Sequence, residues 1–208
     1  MDALASLAMA GFDIAHRFDV RAAARLPGLS LLAGDARLGI LLGNTRALWP
    51  PFQAALADPT LAAERDPLDR YTERSIDAAF APAAPRGIAP RVLYAHRRYD
   101  GAFLPLQRLA AVTGLGALSP SNLVIHPTYG PWFALRAVVV LEGEPPVCAP
   151  IAQPCGCDAS CRDRFEHAQG SGDPRDWLAV RDACSLRAWR YGDDQIRHHY
   201  GALTHMKA

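Results

Sequence analysis

The sequence predicts an α+β fold: a sandwich on a mainly antiparallel sheet, with a small cysteine-containing cap at its C-terminal end. Three observations lead there. Short apolar runs bounded by turn residues interleave with amphipathic stretches. The last two apolar runs lie too close together for a crossover helix. After Glu144-Pro145-Pro146 the composition shifts to Cys, Asp, Arg and Trp, with little aliphatic content before DWLAVRDAC. A chain of 208 residues buries one full-sized core, and two comparable cores would each be starved of apolar interior. The expectation is a core over residues 1–146 and a cysteine-rich cap of short helices over residues 147–208 that completes the site.

Element by element, MDALASLAMAGFDIAHRF reads as a short first helix. It carries Asp2 and has no Lys or Arg before Arg17, unlike the basic start of a signal peptide. Arg37 to Asn44, RLGILLGN, is a buried strand ending in turn residues. RALWPPFQAALAD follows as a helix whose prolines fall in an early turn, where a missing N–H is tolerated. Asp66 then caps a further helix with Pro67 at its first position, and Leu68, Tyr71, Ile76 and Ala79 recur near helical spacing. Ala81 to Pro90 is a loop, RVLYAH from Arg91 a second strand, and LPLQRLAAVTGLG an amphipathic helix closed at Gly114 or Gly116. SNLVIHPTYGPWFALRAVVVLEG reads as strand, turn, strand.

Charge and cysteine usage narrow the function. Lys and Arg number 22 against 21 Asp and Glu, a net charge of +1, which lacks the basic footprint of a nucleic-acid partner. No long uncharged apolar run marks a membrane span. All five cysteines (Cys148, Cys155, Cys157, Cys161 and Cys184) lie in the last third. An odd number without an export signal argues against a disulfide framework and for a reducing cytoplasm.

Three constellations carry chemistry. In IHPTYGPWFALR, Gly130 permits close backbone approach to a flat ligand, Tyr129, Trp132 and Phe133 offer ring faces, and Arg136 is placed as an anion clamp. The alternative is that the aromatics pack a hairpin core and Arg136 makes a surface pair. His126, before Pro127, is a candidate ligand or acid–base group. The adjacent His198 and His199 cannot share a helix face and make a poor metal pair. Cys155, Cys157 and Cys161, completed by the distant Cys184, have the thiolate set that a zinc site or an iron–sulfur cluster requires; the alternative is a group of reduced thiols. Finally, DWLAVRDACSLRAWRYGDDQ holds Arg181, which either pairs with a neighbouring acid or joins Arg136 in a two-arginine anion site.

With LLGNTRALWPPFQAAL, ERDPLDRYT, SNLVIHPTYGPWFALRAVVVLEG, DWLAVRDAC and RYGDDQIRHHY in this order from about Leu38 to Tyr200, the chain resembles the CblC-type cobalamin-processing proteins. A related version of the IHPxxGxWFALR piece occurs in the cobalamin-binding half of epoxyqueuosine reductases. The resemblance implies a nitroreductase-like fold enclosing cobalamin. It also implies decyanation with a reduced flavin (FMN or FAD) and transfer of alkyl groups to glutathione or another thiol, with an electron-donating reductase as a further partner. By the same resemblance Arg136 and Arg181 support the thiol, and His126, Pro127, Tyr129, Gly130 and Trp132 form the turn beside the corrin. The cysteine group departs from the animal CblC pattern and lacks the two-residue spacings of the reductases' clusters. The expectation for Cys155, Cys157, Cys161 and Cys184 is a metal or iron–sulfur centre delivering electrons to cobalt. A non-catalytic corrinoid carrier, a flavin-dependent reductase of another small molecule and a purely structural metal staple are the alternatives.

Overall fold

The computed structural model describes residues 2–81, 89–151 and 160–201. At its centre lies a four-stranded antiparallel sheet in the order β1 (Ile14–Asp19), β2 (Leu38–Asn44), β8 (Ala134–Leu141) and β3 (Arg91–Tyr94). β2 is buried along its whole length, because alternate side chains serve two separate cores. On one face Leu41, Leu93, Val138 and Val140 pack with Ala23 of α2 (Val20–Ala24) and Leu109 of α6 (Leu106–Val112). On the other, Ile40, Leu42, Ala137 and Val139 meet Leu7 of α1 (Ala3–Met9), Phe52 of α3 (Trp49–Ala55), and Ile76 and Phe80 of α5 (Pro67–Phe80).

Pro50 and Pro51 fall in the first turn of α3 and Pro67 opens α5, as their lack of an N–H favours. Asp66 stands at the α5 cap position but makes no side-chain capping bond, contrary to expectation. A short α4 (Pro59–Ala62) precedes α5, capped by Asp58 through the Thr60 N–H at 2.8 Å. Gly114, at φ +84°, ends α6. A small hairpin of β4 (Arg98–Tyr99) and β5 (Ala102–Phe103) leads into α6.

Two further sequence expectations are corrected. The first helix stops at Met9, and IAHRFD, expected to belong to it, is the edge strand β1: pairing with β2 turns Ile14 and Phe18 into the core and decides the conformation. The strand–turn–strand at residues 121–143 is not a hairpin. β7 (Val124–Ile125) pairs instead with β6 (Ala117–Leu118), while β8 inserts between β2 and β3. Pro131, with no N–H to extend a ladder, follows the single bridge between His126 and Gly130.

Beyond Pro150 the described chain forms α7 (Ser160–Ser171), α8 (Pro174–Asp182), α9 (Asp193–Ile196) and a π-type turn over Arg197–Gly201. α7 and α8 pack on each other, with Phe165 and Trp177 edge to face at 5.7 Å. A third apolar cluster joins this tail to the body: Trp132 with Tyr191 and Ile196, flanked by Leu178, Trp189 and Tyr200.

Candidate functional site

The main concavity is a cleft of about 710 Å³ where the start of α6, the β6–β7 pair, the entry to β8 and the face of α8 converge. Leu106, Leu118, Leu123, Phe133, Leu135 and Trp177 make its walls predominantly apolar, Gln107 and Arg108 stand at α6, and Arg181 and Tyr200 supply polar groups from the tail. A wide apolar cavity with few charges suits a large flat guest with a polar fringe.

Arg181 is built into the wall. Its Nε donates to the Pro131 carbonyl at 3.1 Å, Nη2 to the Pro131 and Phe133 carbonyls, the latter at 3.1 Å, and Nη1 to the Tyr200 hydroxyl at 3.1 Å. The guanidinium lies 4.7 Å from the Trp132 ring centroid and 5.0 Å from that of Tyr191. Burial works against its charge, and the Tyr191 and Tyr200 oxygens more than offset this, so its affinity for the proton rises.

Arg136 owes its position to a bulge. In the β2–β8 register Leu42 faces Ala137 and Gly43 faces Leu135, so Arg136 is the extra residue of β8. Bulges re-aim side chains. Here the guanidinium Nε donates to Asn44 Oδ1 at 2.7 Å, and Asn44 Nδ2 donates to the Thr45 carbonyl at 2.8 Å. Thr45 is in turn tied to Asp13, which accepts from its N–H at 2.7 Å and its hydroxyl at 2.5 Å. Burial pulls the proton affinity of Arg136 down, with Arg181 nearby acting in the same direction. Neither arginine forms an ion pair with a carboxylate among the described residues. Arg136 Nη2, the Tyr191 hydroxyl, His199 Nε2 and both amide atoms of Gln195 are buried without a hydrogen-bond partner among the described residues. Burial first, then the charge of Arg136, pushes the His199 imidazole down to about 3.

The turn expected beside a ligand is placed as follows. His126 and Gly130 exchange both backbone hydrogen bonds at 2.9 Å, and His126 Nδ1 accepts from the N–H groups of Thr128 at 3.0 Å and Tyr129 at 3.3 Å. The Tyr129 ring stacks on His126 at 4.4 Å and meets Trp189 edge-on at 4.9 Å. His126 and Tyr129 line a second pocket of about 220 Å³ with Asp13 and His16, rather than the main cleft. Pro127 is exposed. Gly130 has φ +58°, and the close approach foreseen for a ligand is made by the chain itself: a Cβ there would lie 1.9 Å from the Leu186 carbonyl oxygen. Trp132 is 0% exposed, sealed between the guanidinium groups of Arg181 and Arg190 and the ring of Tyr191.

Of the expected site residues, Arg181 lines the main cleft and Arg136 follows two residues that do, Ala134 and Leu135. Cys161 and Cys184 both line a small cavity that shares Leu123 and Pro131 with the cleft. Cys155 and Cys157 lie outside the described residues. Among the described residues no group of three or more His, Cys, Asp and Glu side chains is placed to hold a metal ion, and no helix is long and apolar enough to cross a membrane. Sequence reasoning did not single out Leu106, Leu123, Trp177 and Tyr200 as cleft residues. Trp177 and Tyr200 stood in noted segments, while the leucines carried no signal beyond ordinary apolar periodicity.

The sheet order and the helices on both its faces define the class: an α+β protein of the nitroreductase-like type. More particularly, it is the fold of the C. elegans B12-trafficking protein CblC, a human MMACHC homologue. That crystal structure matches 96% of this chain and 89% of its own, at a TM-score of 0.75 and 15% sequence identity. An epoxyqueuosine reductase in complex with a tRNA-Tyr stem loop matches 77% of this chain and 50% of its own, with a TM-score of 0.47 and 14% identity. The Bacillus subtilis epoxyqueuosine reductase matches 85% and 52%, with a TM-score of 0.45 and 14% identity. No protein family and no curated protein sequence matches the chain.

Proposed function

We propose that this chain binds a corrinoid in the 710 Å³ cleft and removes its upper axial ligand, acting in a reducing cytoplasm. The observation that carries the proposal is that cleft: broad, apolar, and walled by one built-in guanidinium. The shared fold with a B12-trafficking protein supports the choice of ligand class. A corrin is a wide disc with apolar faces and an amide fringe, so Leu106, Leu123, Phe133 and Trp177 would meet its faces and Gln107 its edge. Excluding water from the upper face favours acceptance of an electron by the substrate's cobalt.

For an alkyl ligand the second substrate is a thiol such as glutathione. Arg181 on the cleft and Arg136 behind it supply positive potential, neither of them ion-paired with a carboxylate among the described residues and only the more distant Asp69 charge acting on Arg136, and this favours the thiolate. The sulfur attacks the alkyl carbon, a C–S bond forms, the Co–C bond breaks, and its electron pair stays on cobalt while the thioether departs. For a cyano ligand, one electron from a reduced flavin or a partner reductase enters Co(III), and cyanide leaves with its electron pair as Co(II) forms. Arg181, whose donors are already engaged by Pro131, Phe133 and Tyr200, positions the wall, while Arg136 retains a donor at Nη2.

The test is a visible-spectrum titration of methylcobalamin and cyanocobalamin with the purified protein. It is followed by anaerobic addition of glutathione to the first and of reduced flavin to the second. The expected result is a shift to the yellow form lacking its lower nucleotide ligand, then loss of the upper ligand. Unchanged spectra at high protein concentration overturn the proposal, and a shift without ligand loss reduces the chain to a carrier.

A further inference from the structure

The small cavity lined by Cys161 and Cys184 marks a second site of chemistry. We propose that these two thiols are a reversible redox couple, closing to a disulfide that pins the open end of the α7–α8 hairpin. The two helices are joined by Gly172, at φ +64°, and Asp173, which caps α8 by accepting from the Arg175 N–H at 2.8 Å. They run antiparallel: the Phe165 and Trp177 rings meet at 5.7 Å, and His167 Nε2 lies 3.4 Å from Asp176 Oδ2. Moving away from the turn, Cys161 is four positions before Phe165 and Cys184 seven after Trp177, spacings that keep each on the face its aromatic neighbour presents to the other helix. Cys161 stands eleven positions before Gly172 and Cys184 eleven after Asp173, so the register sets the two residues opposite each other. Both line one cavity of about 10 Å³, about the space of a single water.

Buried cysteines are commonly plain packing residues, and at 6% and 8% exposure these two are well buried. Their placement argues for more. Axes of packed helices lie about 8–10 Å apart and each Cα about 2.3 Å off its axis. That leaves roughly 5 Å between facing Cα atoms, inside the span of about 4.4–6.8 Å that a disulfide bridges. α7 runs for twelve residues and buries only Cys161 and Ala168; α8 buries only Pro174 and Val180. A helical pair with so few buried apolar side chains opens locally at small cost, which admits an oxidant to the thiols. Cys148 stands apart: its thiol donates to the Arg17 carbonyl at 3.1 Å and packs against the core on the α6 face of the sheet.

The oxidant is a low-molecular-weight disulfide such as oxidised glutathione. One protein thiolate attacks a sulfur of that disulfide and expels a glutathione thiolate. The second protein thiolate then attacks the protein sulfur of the mixed disulfide and expels the other. Two protein thiols lose two electrons, the glutathione disulfide gains them, and the two thiol protons pass to the departing thiolates. α8 carries Trp177 and Arg181 into the main cleft, and the Cys184 N–H donates to the Arg181 carbonyl at 3.2 Å, so the disulfide fixes one wall of that cleft.

The experiment incubates the full chain anaerobically in buffers of reduced and of oxidised glutathione, then counts thiols, maps disulfide-linked peptides and follows thermal unfolding. In the oxidised buffer Cys161 and Cys184 should lose their thiols together and appear in one linked pair of peptides. Closing a loop of 24 residues, from Cys161 to Cys184, should raise the melting temperature on the order of 10 °C, and a dithiol reductant should reverse both changes. The variants Cys161→Ser and Cys184→Ser should each lose the link and the rise, and Cys148→Ser should keep them. All five thiols surviving in the oxidised buffer overturn the proposal. So does a disulfide joining either residue to Cys148, Cys155 or Cys157, glutathione adducts on the two thiols with no link between them, or the Cys161–Cys184 link without a rise in melting temperature. Should the serine variants fail to fold, the peptide map of the unaltered chain decides by itself. None of these readouts depends on corrinoid binding.

Discussion

Replacing Gly130 by alanine tests the junction between the turn and the tail. At φ +58° a side chain costs about 1–2 kcal/mol of backbone strain. The new Cβ would also stand 1.9 Å from the Leu186 carbonyl oxygen, where contacts below 3.0 Å are essentially never tolerated, so the backbones must part by about 1.1 Å, the difference between the two. Overpacking of this kind costs about 1–3 kcal/mol. The total of about 2–5 kcal/mol corresponds to a fall in melting temperature on the order of 10 °C for a chain of this size. Gly101 provides the control: its φ is +81° but nothing lies within 4 Å of its Cβ position, so Gly101→Ala should show the strain alone. Thermal unfolding followed by circular dichroism measures both. Tryptophan emission should change only in Gly130→Ala, because displacing Leu186 carries Trp189 off Tyr129 and Tyr191 off Trp132. If the two variants melt within about a degree of each other, the Leu186 contact does not govern this junction.

Other perturbations probe other parts of the site. His199, held down at about 3 by burial, is neutral when folded and takes up a proton when unfolded below about pH 6.5. Its contribution is therefore complete above that pH and is lost as pH falls towards 3. Between pH 7.5 and 5 the loss is about 2 kcal/mol, and urea midpoints for His199→Phe should show a flatter dependence than the unaltered chain. Asp13→Ala leaves the buried Thr45 N–H without its acceptor and should cost about 1–3 kcal/mol in urea unfolding. Leu123→Arg places a charge in the apolar cleft, and should abolish the spectral shift of cobalamin while leaving the melting temperature nearly unchanged, Leu123 being only half-buried.

The legible parts of the sequence were those where local pattern and tertiary demand agree. RLGILLGN could be read as a buried strand because both of its faces are apolar, and α3 and α5 because proline marks their first turns. The edge strand IAHRFD was not legible: only Ile14 and Phe18 are buried, and pairing with β2 overrides a weak local preference. The arginines stood out by type, but the reason Arg136 turns toward Asn44 is a one-residue register shift that no periodicity announces. The turn glycine can be read from the sequence as a point of close approach to a flat ligand, whereas the group that approaches it in the structure is Leu186. The cleft was the least legible feature, since Leu106 and Leu123 are distinguished from core leucines only by which neighbours are missing from one side.

The two backbone N–H groups aimed at His126 Nδ1 have a chemical consequence. With that nitrogen's lone pair engaged, the ring's single proton must reside on Nε2, and a second proton is disfavoured; burial, followed by repulsion from His16, lowers the proton affinity of the ring in the same sense. Coordinating a metal through Nε2 would demand the opposite tautomer and sacrifice both turn bonds. The imidazole is thus preset as a hydrogen-bond donor and withheld from dative bonding, so a corrinoid reaching it would find no replacement for a displaced lower base.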